Sequence, residues 1–132
     1  MKLTVNFSLK EFACHDGTPV PPELIQTVKK LAENLEIIRK EVGKPLKILS
    51  GYRTPAWNKR VEGAKSSNHM LGRAADITVE GIPPKAIADT IERLIKEGKL
   101  PPSGLGRYKG FTHYDIRGKN SRWGLLAAKR KC

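Results

Sequence analysis

Cysteine is scarce in this chain of 132 residues. Two cysteines, Cys14 and Cys132, are too few for a disulfide framework, and the second is the last residue. Cys14 and His15 are adjacent and complete no structural zinc pattern with Cys132; Cys14 reads as a small buried residue and His15 as a surface one. Aromatic residues make up only 6%, and none falls in an RNA-binding signature. No apolar run approaches the ~20 residues that a membrane span requires. The first seven residues, Met1 to Phe7, lack the apolar stretch and cleavage site of a secretory signal. A protein of this kind is made in the cytoplasm, and if it works outside, something else must release it. Acidic residues are also few, 13 against 25 lysines and arginines, for a net charge of +12. That excess favours a polyanionic partner: nucleic acid, anionic lipid or anionic cell-wall polymer.

What is present fits one globular domain over residues 1–132, with a core of about 7–123 and a basic tail over 124–132. Ser8 and Glu11 have capping-box spacing and open a short helical turn. Residues 14–22 read as a loop, and Pro21 and Pro22 suit the first turn of a helix. Leu24, Val28, Leu31, Leu35 and Ile38 recur at helical spacing, and Gly43 and Pro45 end the pattern. A strand is expected over 46–50, a short helix through Trp57 and Arg60, a polar loop over 62–68 and a central strand over 73–79. Pro83 and Pro84 open a second helix, with Ile87, Ile91 and Ile95 on one face. Two short strands, 104–108 and 111–117, remain, and the tail after Arg122 reads as loosely held. The fold class is α+β: a small, mostly antiparallel sheet with helices on one side.

Two of the three histidines sit in suggestive places. His69 ends the polar loop, and Asp76 follows seven residues later in an apolar strand, between Ala75 and Ile77. A buried aspartate there needs a partner, and a metal or an arginine would serve. His113 and Asp115 alternate along a strand and so project to the same face. Two strands could thus bring two imidazoles and one or two carboxylates to one point, a donor set known for catalytic zinc. The competing reading is a hydrogen-bonded core histidine and a buried Asp–Arg pair.

The motifs together resemble a known family. Ser50-Gly51-Tyr52-Arg53-Thr54-Pro55 is followed by Asn58, then Gly63-Ala64-x-x-Ser67-x-His69-x-x-Gly72-x-Ala74-x-Asp76-Ile77. Later come Gly106-x-Tyr108, Phe111-x-His113-x-Asp115, Gly118 and Arg122-Trp123. The chain resembles the M15 peptidases, and more narrowly the zinc D-alanyl-D-alanine carboxypeptidases and peptidoglycan endopeptidases. The likeness runs from about Phe7 to Trp123. It implies Zn2+ held by His69, Asp76 and His113, in a cleft over a sheet of the hedgehog and DD-peptidase type. Arg53 matches an arginine that faces the substrate and the transition-state oxygens in that family; a structural salt bridge to Asp76 is the other reading. Ser67 orders its loop or binds substrate. Tyr52 and Asn58 read as scaffold, and Trp57 and Trp123 either line the cleft or cap a core edge.

The implied reaction is hydrolysis of an amide bond in a peptidoglycan stem peptide or cross-link. Zinc polarises the carbonyl and activates water, and Arg53 stabilises the oxyanion. Asp115 is taken as the general base, with orientation of an imidazole or direct ligation left open, and Glu62 is a second candidate for the base. Many relatives carry a carboxylate three residues before the last histidine ligand; here that residue is Gly110. A small catalytic domain without an export signal looks like a phage-type endolysin, a monomer released by a holin and held near anionic envelope polymers by its charge. A non-catalytic peptidoglycan-binding module and a nucleic-acid-binding protein are the alternatives; intact His69, Asp76, His113 and Arg53 argue against the first. The lack of a recognition helix or zinc-finger pattern argues against the second, so no nucleic-acid partner is expected.

Overall fold

The computed structural model describes residues 1–124. Its order is a 3₁₀ turn (Leu9–Phe12), α1 (Ile25–Val42), β1 (Lys47–Ser50), α2 (Pro55–Arg60), a 3₁₀ turn (Asn68–Leu71), β2 (Ala74–Thr78), α3 (Pro84–Lys96), β3 (Gly104–Arg107), β4 (Thr112–Asp115) and β5 (Ser121–Gly124). The strands form one sheet in the order β1-β2-β4-β3-β5. Every pairing is antiparallel except β3 with β5.

The helical spacing produces the expected elements. A 3₁₀ turn over Pro22–Leu24 leads into α1, which buries Val28, Leu31, Leu35 and Ile38. Gly43 ends the helix in the left-handed conformation (φ 79°), where a side chain would be strained. In α3, Ile87, Ile91 and Leu94 are buried. Full burial of each such side chain stabilises the fold by roughly 1.5–3 kcal/mol. Helix α3 lies against β3 and β4, and α1 lies against α3. The Glu11 carboxylate accepts the Ser8 backbone N–H at 2.8 Å, as the capping-box spacing predicts.

The structure adds two features to the sequence reading. Ser121–Gly124, to which that reading assigns no strand, forms β5, in parallel register with β3. Arg122 is pinned there by Glu92, its Nε donating to Oε1 at 2.6 Å. The strand escapes notice because it is only four residues long and has no apolar run. Residues near the N-terminus also join the core. Leu3 is buried, and Lys2 bridges Ser8. The rest of the basic tail, residues 125–132 with Cys132, lies outside the described residues.

Period-two alternation then divides the sheet. On β2, Ala75 and Ile77 face the helices and Asp76 faces the other way. On β4, Tyr114 reaches Asn34 of α1, while His113 and Asp115 belong to the opposite face. One face therefore carries the core and the other the polar cluster.

Candidate metal centre

Register brings the cluster together. Asp76 and His113 are direct partners on β2 and β4, and Ala74 pairs with Asp115. His69 arrives from the 3₁₀ turn over Asn68–Leu71. The Ser67 hydroxyl caps that turn by accepting the His69 N–H at 3.1 Å. Gly72, in the left-handed conformation, ends it.

His69 Nε2 lies 3.2 Å from Asp76 Oδ1, and His113 Nδ1 lies 3.1 Å from the same oxygen. One ligand atom from each of the three residues lies within 4.8 Å of the other two. All three side chains are buried. The far nitrogen of each imidazole is committed elsewhere. His69 Nδ1 donates to the Gly51 carbonyl at 2.7 Å, and His113 Nε2 donates to Asp115 Oδ2 at 2.7 Å. With both rings neutral, as a metal requires of its imidazole ligands, the lone pairs of His69 Nε2 and His113 Nδ1 would converge beside that carboxylate oxygen. Three electron-rich atoms in one buried spot call for a cation, and a two-histidine, one-carboxylate set with its outer nitrogens held is suited to zinc. The residues fit the metal.

The charges follow from this geometry. Burial opposes ionisation of Asp76, but hydrogen bonds from His113 and His69, and their charge, outweigh it and hold the carboxyl well below the usual range. Burial likewise opposes a charged His113, yet its bonds to Asp115 and Asp76 raise it above the ordinary histidine value. Asp115 is 0% exposed. Against that burial, Arg117 and His113 keep it ionised well below its normal pKa. Arg117 Nε and Nη2 each donate to one Asp115 oxygen at 2.8 Å, and the Arg117 backbone N–H adds a third bond at 3.2 Å.

The cleft above this floor has a volume of about 560 Å³. Arg53 lines it and is held at two points: Nη2 donates to Asp76 Oδ2 at 3.4 Å and Nη1 to Asn58 Oδ1 at 3.2 Å. Asn58 in turn donates to the Ala64 carbonyl, which ties the loop to α2. Glu62 also lines the cleft; it is exposed and sits at φ 57°. Tyr108 and Phe111 stack with centroids 4.6 Å apart, and the Trp123 indole donates to the Tyr108 hydroxyl at 2.7 Å. The Trp123 ring lies 5.0 Å from that of His113, so this tryptophan lines the cleft. Trp57, the other tryptophan, packs at the edge of the core beside His15. Cys14 is buried and His15 is exposed, with His15 Nε2 donating to the Leu49 carbonyl at 2.5 Å.

Glycines on β3 make the room. A Cβ at Gly104 would stand 2.4 Å from the Asp115 carboxylate, and one at Gly106 would stand 2.7 Å from Trp123 Nε1. Arg117 is the residue that sequence reasoning passed over. The alternation that pairs His113 with Asp115 puts Arg117 next on the same face, which was the available signal.

A family model described as Peptidase M15 matches residues 3–115. No curated protein matches the chain.

Proposed function

The chain belongs to the peptidase M15 family, and from that premise we propose that it is a zinc-dependent peptidase hydrolysing amide bonds of peptidoglycan stem peptides or their cross-links. The observation that carries this reading is the convergence of His69 Nε2, Asp76 Oδ1 and His113 Nδ1, with both imidazoles held by their outer nitrogens. When bound, zinc would act as a Lewis acid toward the scissile carbonyl and activate water for attack. Arg53, at the cleft wall, pairs with a substrate carboxylate or with the developing oxyanion. Ser67 keeps the His69 turn in place, and Tyr108, Phe111 and Trp123 line the cleft beside His113.

The role of Asp115 follows from its partners. It is buried, and it takes bonds from Arg117 and His113. A carboxylate so engaged is a weak proton acceptor and a strong anchor, so we assign it to orienting His113. Glu62, exposed in the same cleft, is the carboxylate assigned to accept the proton from water and return it to the leaving amine.

Endolysin-like lysis of the cell wall suits a domain with this charge, since a +12 protein is drawn to anionic envelope polymers. Among the described residues no helix is long and apolar enough to cross a membrane. The deciding experiment is digestion of purified peptidoglycan with and without a chelator, read by mass spectrometry. New chelator-sensitive peptide ends support the reading. Loss of a terminal alanine means carboxypeptidase, and a split cross-link means endopeptidase. Intact peptidoglycan despite stoichiometric zinc would turn the reading towards a binding module.

A further inference from the structure

We propose that Arg117 is a positioning residue of the metal centre, acting through Asp115 on His113. The inference rests on the metal site described above and names a residue that the donor set does not contain.

The chain of contacts is continuous. The Arg117 guanidinium grips both oxygens of Asp115 in the two-pronged geometry that fixes a carboxylate in plane, and the backbone N–H of the same residue adds a third donor. That leaves Asp115 Oδ2 facing His113 Nε2 at 2.7 Å. In the neutral ring that a metal would bind, this bond keeps the proton on Nε2 and leaves the lone pair on Nδ1, the atom turned toward Asp76. Without the clamp, Asp115 would be a buried anion beside a metal site, free to rotate away from the imidazole or to compete for the cation. With it, the carboxylate has one orientation and one remaining task.

Two further contacts hold the clamp itself. The Arg117 guanidinium carbon sits over the Trp123 ring at 4.9 Å from its centroid. The missing side chain at Gly104 leaves the pocket that the Asp115 carboxylate occupies. Strands β3 and β5 thus support a positioning device whose working end is on β4. Lysine would supply the charge but not the planar fork.

The test is a double-mutant cycle on zinc affinity, measured by chelator competition with Arg117→Ala, Asp115→Asn and the double variant. Each single change should weaken zinc by ~10–100-fold, as loss of an outer partner does. If Arg117 acts through Asp115, the double variant should bind within about twofold of Asp115→Asn alone, since coupled residues are not additive. Arg117→Lys should recover part of the loss, and the visible spectrum of the cobalt-substituted protein should shift in Arg117→Ala and less in Arg117→Lys. Fully additive losses, or wild-type affinity in Arg117→Ala, would overturn the proposal. Should Arg117→Ala fail to fold, Arg117→Lys takes its place in the cycle and the same two results decide. Failure of the unmodified protein to bind zinc would instead overturn the metal reading, and this one with it.

Discussion

Asp76 and His113 sit opposite each other on adjacent antiparallel strands, and His113 Nδ1 lies 3.1 Å from Asp76 Oδ1. The register of one strand pair therefore places two of the three residues of the candidate metal centre. His69 completes it from a capped turn. A site built mostly on strands is held more precisely than one built on loops.

Removing a donor should therefore remove the metal. His69→Ala is expected to lower zinc affinity by more than the ~100-fold that bounds the cost of losing an outer partner, and peptide hydrolysis should fall with it. Chelator competition and a turnover assay on the same preparation check both. Full zinc occupancy in His69→Ala would sink the assignment.

The two cleft carboxylates should separate by readout. Glu62→Gln is expected to keep zinc and to lower kcat by ~10²–10⁴-fold, the range for loss of a general base. Asp115→Asn is expected to weaken zinc first. A reversal, with Glu62→Gln active and Asp115→Asn inactive but zinc-loaded, would return the base role to Asp115.

Gly104→Ala should be destabilising although it adds one methyl group. That group would meet the Asp115 oxygens at 2.4 Å, and overpacking of this kind costs about 1–3 kcal/mol. Chemical denaturation measures it. The same variant should weaken zinc, because the carboxylate that holds His113 must move.

Acid should loosen the loop before α1, which Asp16 ties to Thr54 at the start of α2. The Asp16 carboxylate accepts the Thr18 N–H at 2.9 Å and the Thr54 hydroxyl at 3.1 Å. The Thr18 bonds are the largest cause of a pKa lowered from 3.8 to about 2. A depressed folded-state pKa means that the contribution is present above the unfolded value and is lost as pH falls from 3.8 toward about 2. Asp16→Asn should flatten the stability profile in that window, and unfolding followed as a function of pH reads it directly.

Salt should separate attraction to the wall from chemistry. Raising ionic strength from about 0.1 to 1 M shortens the screening length from ~10 to ~3 Å. Sedimentation with purified peptidoglycan should fall several-fold over that range, while zinc affinity in the buried centre should change much less. Equal loss of both would mean that the positive surface is not what attracts the protein.

Much of this protein is legible in its sequence because local rules act locally. The spacing of Val28, Leu31, Leu35 and Ile38 makes an amphipathic helix wherever it occurs, and Gly43 ends it because only glycine enters the left-handed region without strain. The His113-x-Asp115 alternation puts both side chains on one face by strand geometry alone. Tertiary structure decided the rest. Ser121–Gly124 became a strand because β3 offered an open edge, and nothing in four mixed residues announces that. The task of Asp115 was also left open: alternation puts His113 and Arg117 on its face, but whether the carboxylate accepts a proton or anchors an imidazole depends on its burial and on the grip of Arg117, and both are set by how the strands pack. Residue types and spacing determined which chemistry was available, whereas distance and desolvation, which exist only in the folded chain, decided the task of each group.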